Sequence, residues 1–470
     1  MNRRRFLKYA GAAGLAVTGS ALVGYELQST LLRPSTETPS ETATQTITPL
    51  QSATPPRLDA RFSYKTAQRT LKYIIPHSRE EIQFVNETEV SPPSTPVSYA
   101  WLIDDRAVSI SDDYFCTLPE TRTTETPHLV KLIASTPEVN SSTQQIIDVD
   151  PQNIKEFPER SMGIPIKGIN YSIKRPNEGS PPPESEMKES LTVIRHELGC
   201  NAIRIYGGYE DHLILCSKLA DQIGFEIVEI SPNYRTYNPP NFTIEENVRR
   251  VISFAPRVEE LRKSSSAKIV LVVGNELSID ATGILPGASY VERIAAIESW
   301  DSKDDAKLNS YLNQLTGEVR KRFNGLITYA AGSWENVEWW RPEFDIVGPN
   351  GYVVSTPGGR KWARDRLTHY EKFGKPVWVN EFGCASYVGA SREEPYTGQP
   401  YSQEEQSQNI TESIELFKQV GGVDAVFLFL FAIPGADDAS EGIWYSHGIM
   451  RYVGGFLRRK LGFYSFASYD

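Results

Sequence analysis

Histidine is scarce in this chain, and its six copies, at 77, 128, 196, 212, 369 and 447, fall in no HxH or HExxH spacing. That argues against a metal-dependent hydrolase. Cysteine is scarcer still. Cys116, Cys200, Cys216 and Cys384 show no CxxC spacing, so neither a zinc site nor a disulfide framework is indicated; buried thiols are the default, with one or two disulfides open to an exported chain. No GxGxxG or GxxxxGK loop follows the first strand of the α/β region, which weakens a nucleotide-binding reading, and no cofactor is called for. Positive charge is not in excess: the net charge is −10 and the pI about 5.4, which disfavours a nucleic-acid partner.

Long apolar runs are missing as well, except at the start. There NRRRFLKYAGAAGLAVTGSALVGYEL places Arg3 and Arg4 ahead of Phe6-Leu7-Lys8 and an apolar stretch from Tyr9 to Tyr25. Residues 1–28 resemble a twin-arginine export signal, and positive flanks on a short apolar stretch equally suit an N-terminal membrane anchor. The expected location is extracellular or at the cell surface. Residues 29–57 are dominated by Ser, Thr and Pro, a composition that builds no core and reads as a linker or stalk.

Residues 58–150 change character. IQFVNET near 82, VSYAWLIDDRAVS from 97, HLVKLIAST from 128 and TQQIIDVDP from 143 are short alternating runs separated by polar turns, the pattern of a small all-β, Ig-like sandwich. Tyr99-x-Trp101, the Asp104-Asp105 turn and His128-x-Val130-x-Leu132 resemble the PKD-type modules appended to many exported enzymes. Trp101 reads as core.

From about 160 to 465 the rhythm is strand, loop, helix. Strands are expected at IKGIN (166), AIRIY (202), EIVEI (226), IVLVVG (269), LITYA (326), DIVG (345), VWVN (377) and AVFLFLF (425), with amphipathic helices such as ESEMKESLTVIRHELG between them. Eight such units predict an α/β fold of the (β/α)8 TIM barrel type, preceded by the small sandwich.

Two of these strands end in the same dipeptide, Asn275-Glu276 after the fourth and Asn380-Glu381 after the seventh. In a barrel both glutamates then lie on the carboxyl face, where active sites are built, and on roughly opposite sides of the mouth. A carboxylate at a buried strand end is costly unless it is used. Two converging carboxylates are what glycoside hydrolysis requires: one protonates the leaving oxygen while the other attacks the anomeric carbon or activates water. An arginine such as Arg204 would keep the attacking carboxylate ionised.

On these motifs the barrel resembles the clan A (4/7) superfamily of retaining glycoside hydrolases. VVGNELS is similar to its strand-four motif, which implies Glu276 as acid/base and Asn275 as the partner of the sugar 2-hydroxyl. WVNEFG resembles the strand-seven motif and implies Glu381 as nucleophile. CNAIRIYGG and DIVGPNGY imply Arg204 and Tyr352 as its partners. GNELS with Pro286-Gly287, TYAAGSWENVEWW and EFGCASYVGA further resemble a barrel family often labelled "abortive infection protein", a label implying phage defence for which these residues carry no chemistry. The superfamily often has a Trp at the end of strand eight, where this chain offers Phe429 and Phe431.

Tyr206 ends strand two, Trp334 follows strand five and Trp444 lies in the last loops, and these are the candidate sugar-stacking walls. The partner so implied is an oligo- or polysaccharide, with no protein partner predicted. The alternative of a different class is a cell-surface glycan-binding protein that keeps the barrel without the chemistry.

Overall fold

The structure is a computed structural model and describes residues 56–66, 81–119, 121, 128–147, 149, 157–173, 181–234, 242–433, 445–453 and 456–470. The signal or anchor expected over 1–28, nearly all of the linker, and Trp444 lie outside the described residues. Among the described residues no helix is long and apolar enough to cross a membrane. The chain divides into two compact units, with the division between Glu156 and Phe157.

The first unit is all-β. Strands β1 (Arg57–Asp59) and β4 (Glu89–Ser91) pair with each other, β2 (Phe62–Thr66), β3 (Ile82–Asn86) and β7 (Tyr114–Cys116) form a second sheet, and β5 (Ser98–Ile103), β6 (Arg106–Ser109), β8 (His128–Ser135) and β9 (Asn140–Ile147) a third, all antiparallel. Asp104 and Asp105, both at positive φ, make the turn between β5 and β6, and such left-handed pairs match the twist of a two-residue hairpin. Alternate residues of the two larger sheets share one core of Phe62, Ile82, Phe84, Trp101, Val130, Leu132 and Ile147. Trp101 is fully buried, its ring 5.1 Å from that of Phe62, and its indole N–H donates to the carbonyls of Ser111 and Asp112.

The second unit holds a seven-stranded sheet, all parallel: β10 (Ile166–Ser172), β11 (Ala202–Gly207), β12 (Ile227–Pro232), β13 (Lys268–Asn275), β14 (Leu326–Ala330), β15 (Trp378–Phe382) and β16 (Ala425–Leu428), in the order β14-β13-β12-β11-β10-β16-β15. A hairpin of β17 (Met450–Val453) and β18 (Phe456–Arg459) follows. The segment expected as strand six is too irregular to count as a strand, yet it bridges both edges of the sheet. Ala331 N–H donates to Gly348 and Asn350 N–H to Ala331 on one side; Trp378 N–H donates to Val347 and Asn380 N–H to Pro349 on the other. A Cβ on Gly348 would stand 2.5 Å from both Thr328 Oγ1 and the Tyr329 carbonyl, so only glycine lets this segment lie so close to β14. Side chains from all seven strands and from Ile346 meet in one apolar cluster that includes Ala202, Val270, Trp378 and Phe427. A ring of parallel hydrogen bonding around a filled centre is compatible with a TIM-like barrel.

Two expectations need correction. The helical pattern from 184 is not one regular helix: Glu184–Thr192 is α-helical and Val193–Glu197 continues as a π-helix. No helix separates β14 from the sixth segment; residues 331–344 cross back as turns and extended chain, so one of the eight units lacks its helix. Gly332, Ser333 and Pro342 break the apolar periodicity that a helix there would need.

Candidate active site

Parallel register builds the floor of the site. Asn170 on β10, Arg204 on β11 and Glu229 on β12 are in line, because Asn170 pairs with Arg204 and Arg204 with Glu229. All three are buried. A guanidinium at this depth needs several acceptors, and Arg204 finds them across the ring: Nη1 donates to Glu381 Oε1 at 2.7 Å and to Asn170 Oδ1 at 2.9 Å, and Nη2 to Asn275 Oδ1 at 3.0 Å and Ser231 Oγ at 3.2 Å.

Glu381, the penultimate residue of β15, receives a second donor. The Tyr352 hydroxyl lies 2.7 Å from Glu381 Oε2, so each oxygen of this carboxylate has its own donor. Burial and the carboxylates of Glu381 and Glu276 push the Tyr352 phenol well above its ordinary range, which keeps it a neutral donor.

Glu276 is treated differently. It follows β13 in a left-handed conformation, φ 41° and ψ 48°, rare for a residue with a side chain. Its Oε1 accepts from Asn350 Nδ2 at 2.9 Å, and the same amide reaches Asn275 Oδ1 at 3.3 Å. The residue is only partly exposed, and the protein around it solvates charge poorly. Burial first, then the charge of Glu381, with Glu335 and Asp280 adding to it, hold the Glu276 carboxyl well above the usual range; Asn350 opposes them. Two carboxyls of one pocket are thus set apart by environment, one gripped by a cation and the other favoured as the protonated acid.

The repeated Asn-Glu dipeptide does not repeat in role. Asn275 turns its amide into the site, whereas the Asn380 side chain is fully buried and it is its backbone carbonyl that accepts from Asn170 at 2.9 Å.

The walls are aromatic. Tyr206 lies nearly parallel to Phe429 with centroids 6.2 Å apart, and Tyr352 and His447 meet Phe429 edge-on at 6.4 and 5.7 Å. Of the two phenylalanines at the end of the eighth expected strand, Phe429 lies among these rings and offers no indole N–H. Trp334 is buried, its indole N–H donating to Ser278 Oγ at 2.9 Å, which ties it to the turn that follows Glu276. Asn350, Asn170 and Glu335 were not singled out from sequence; Asn350 had a signal, sitting two residues before Tyr352 in DIVGPNGY. All four cysteines are free thiols.

Residues 302–431 match Glycoside Hydrolase Family 113. The match contains Asn350, Tyr352 and Glu381 and leaves Arg204 and Glu276 outside it. Among solved structures, the chain is similar to Faecalibacterium prausnitzii β-glucuronidase, at 17% identity and a TM-score of 0.44, over 87% of this chain and 65% of that one. It is also similar to a GH113 β-1,4-mannanase, at 17% and 0.45 over 65% of this chain and 98% of that one, and to Ruminococcus gnavus β-glucuronidase, at 13% and 0.45 over 88% and 68%. The chain therefore spans slightly less than two thirds of the Faecalibacterium enzyme. No curated protein matches its sequence.

Proposed function

We propose that the protein is a retaining glycoside hydrolase acting on β-linked oligo- or polysaccharides, with Glu276 as acid/base and Glu381 as nucleophile on a (β/α)8 barrel. The observation that carries the reading is the unequal environment of the two carboxyls. Glu381 accepts a guanidinium N–H and a phenol O–H, while Glu276 accepts an amide N–H and is crowded by other acids. The partial match to Family 113, which contains Glu381, agrees with it.

In the first step Glu381 attacks the anomeric carbon and Glu276 gives its proton to the departing oxygen. Forming the glycosyl ester neutralises Glu381 and so removes one of the charges that hold the Glu276 proton on. Glu276 thereby becomes a stronger acid and, its proton given up, a carboxylate; in the second step it takes a proton from a water that attacks the anomeric carbon as the ester bond to Glu381 breaks. Asn275, whose Oδ1 accepts from Arg204 and Asn350, is the partner we assign to the sugar 2-hydroxyl. Tyr206, Phe429 and Tyr352 supply the apolar faces on which a sugar ring rests. The reading extends to an exported or cell-surface enzyme through residues 1–57, and to an Ig-like spacer role for the first unit.

The test is covalent trapping. A panel of 2-deoxy-2-fluoro β-glycosides with activated leaving groups is incubated with the protein, and the expected result by mass spectrometry is one added sugar on the peptide containing Glu381. No adduct from any sugar overturns the hydrolase reading in favour of a glycan-binding protein.

A further inference from the structure

Glu335 is a further buried carboxyl whose charge acts on Glu276, and the chemistry above makes no use of it. It is 1% exposed and lies in the turn Gly332–Glu335 beyond β14, closed by Glu335 N–H donating to Gly332. Its oxygens accept from Gly332 N–H at 2.9 Å, Ser278 N–H at 3.2 Å and the Tyr329 hydroxyl at 2.9 and 3.1 Å. The Tyr329 oxygen in turn accepts Leu277 N–H at 2.7 Å.

Those last contacts fall on a particular piece of backbone. Leu277 and Ser278 are the first two residues of the single helical turn Leu277–Asp280 that follows Glu276, and amides at a helix start have no acceptor within the helix. Here both are satisfied from outside, by Tyr329 and Glu335, while Glu276 N–H is held by the Ala330 carbonyl at 2.9 Å. Three consecutive amides are thereby fixed by the end of β14 and the loop after it. A non-glycine residue persists at positive φ only where its surroundings over-determine it, and Glu276 is so surrounded. Trp334 adds a fourth tie through Ser278 Oγ, and its ring folds over Gly332 so closely that a Cβ there would stand 2.7 Å from it.

We propose that Glu335, acting with Tyr329, is a positioning residue that sets the left-handed turn of Glu276 and, by its negative charge, keeps the Glu276 proton in place. The proposal rests on the acid role given to Glu276 above. The groups that face Glu276 are Glu381 on β15, Asp280, Tyr329, Tyr352 and Glu335, with Arg204 one residue away through Asn275. Those that face Glu335 are Tyr329, Glu276, and Tyr370 and Arg366 of the helix Pro357–Tyr370, where Arg366 donates to the Glu335 backbone carbonyl. Burial pushes the Glu335 carboxyl up to about 7 against the hydrogen bonds it accepts, so its charge, and with it its hold on the Glu276 proton, grows as pH rises through neutrality.

The experiment uses the full chain in two readouts. Carbonyl-labelled [13C]glutamate gives a carboxyl titration in which the Glu276 signal is identified by its loss in Glu276→Gln. In Glu335→Gln the Glu276 midpoint falls by about one pH unit, the size of one like charge removed nearby; an unchanged midpoint overturns the proposal. Tyr329→Phe keeps the charge and removes the bridge to Leu277. Both variants lose about tenfold more rate on an aryl β-glycoside with a poor leaving group than on the dinitrophenyl analogue, because only the former needs the proton. Equal losses on both substrates mark a merely structural role and overturn it. The titration needs no substrate, so it judges Glu335 even if the trapping experiment rejects the hydrolase reading.

Discussion

Arg204 stands 2.7 Å from Glu381, and the same guanidinium holds Asn275, the residue before Glu276. One cation therefore ties the two proposed catalytic strands together, and its loss is felt twice. Arg204→Ala leaves a buried carboxylate without its cation, a change that costs about 3–5 kcal/mol of stability. Glycosyl-enzyme formation should fall by at least about 100-fold, as expected when charge-assisted bonds of about 1.5–3 kcal/mol each are lost. Denaturant melts and the rate of fluoroglycoside trapping measure the two effects separately.

Tyr352→Phe isolates the second donor to Glu381. A single hydrogen bond to a charged group is worth about 1.5–3 kcal/mol, so trapping should slow by roughly 10- to 100-fold with little change in melting temperature. Because the phenol is held well above its ordinary range, the wild-type trapping rate should show no alkaline limb from Tyr352 below about pH 10, the unperturbed tyrosine value. A limb that disappears in Tyr352→Phe would contradict the neutral-donor role.

The two glutamates are also separable by rescue. Glu276→Ala should still form the glycosyl-enzyme from an activated aryl β-glycoside and then stall; azide, which needs no general base, should restore turnover and give a β-glycosyl azide. Glu381→Ala should lose the first step, with azide yielding at best the α-anomer. Product configuration by NMR decides, and the reverse pattern would exchange the roles.

Much of this site was legible in the sequence because strand ends are local. VVGN and VWVN are apolar runs that read as buried parallel strands, and the residue where such a run stops is where the chain meets the barrel mouth. Arg204 was legible for the same reason. What escaped is what depends on non-local packing. The sixth segment pairs in isolated bridges around Gly348, so it is shorter in regular structure than DIVG suggests. Residues 331–344 lack a helix because Gly332, Ser333 and Pro342 interrupt it, and the aromatics of TYAAGSWENVEWW are held instead by contacts such as Trp339 against Phe344 and the Trp334 indole N–H donating to Ser278 after β13. Glu335 looks like a surface glutamate in sequence; only the approach of β14 to the turn after β13 makes it an acceptor for Ser278.

The first unit should fail at Trp101 alone. Replacing this fully buried indole with Ala removes ring contacts with Phe62 and Phe84 and two hydrogen bonds, a loss of about 3–5 kcal/mol. Since the two units have separate cores, calorimetry should show one transition moved to lower temperature while the trapping rate at Glu381 is kept.

Glu229 makes the last prediction. It lies under Arg204 with Oε2 4.0 Å from Nε, too far for a hydrogen bond, and among the described residues neither of its oxygens has a hydrogen-bond partner. Burial pushes its carboxyl up to about 8, overriding the attraction to a guanidinium already committed to Glu381. The folded value thus lies above the unfolded one of about 4.5, so between these limits the native state keeps a proton that the unfolded chain has released. Stability from this group is therefore full below about pH 4.5 and declines as pH rises toward 8, by at most about 1.4 kcal/mol per pH unit, the slope for one proton. Glu335, pushed up to about 7, adds the same sign over a narrower window. Glu229→Gln is neutral at every pH and should lose less stability than wild type between pH 5 and 8. Melting curves of both proteins across that range test it: a wild type whose stability rises relative to the variant would mean that Glu229 is ionised in the folded state and pairs with Arg204.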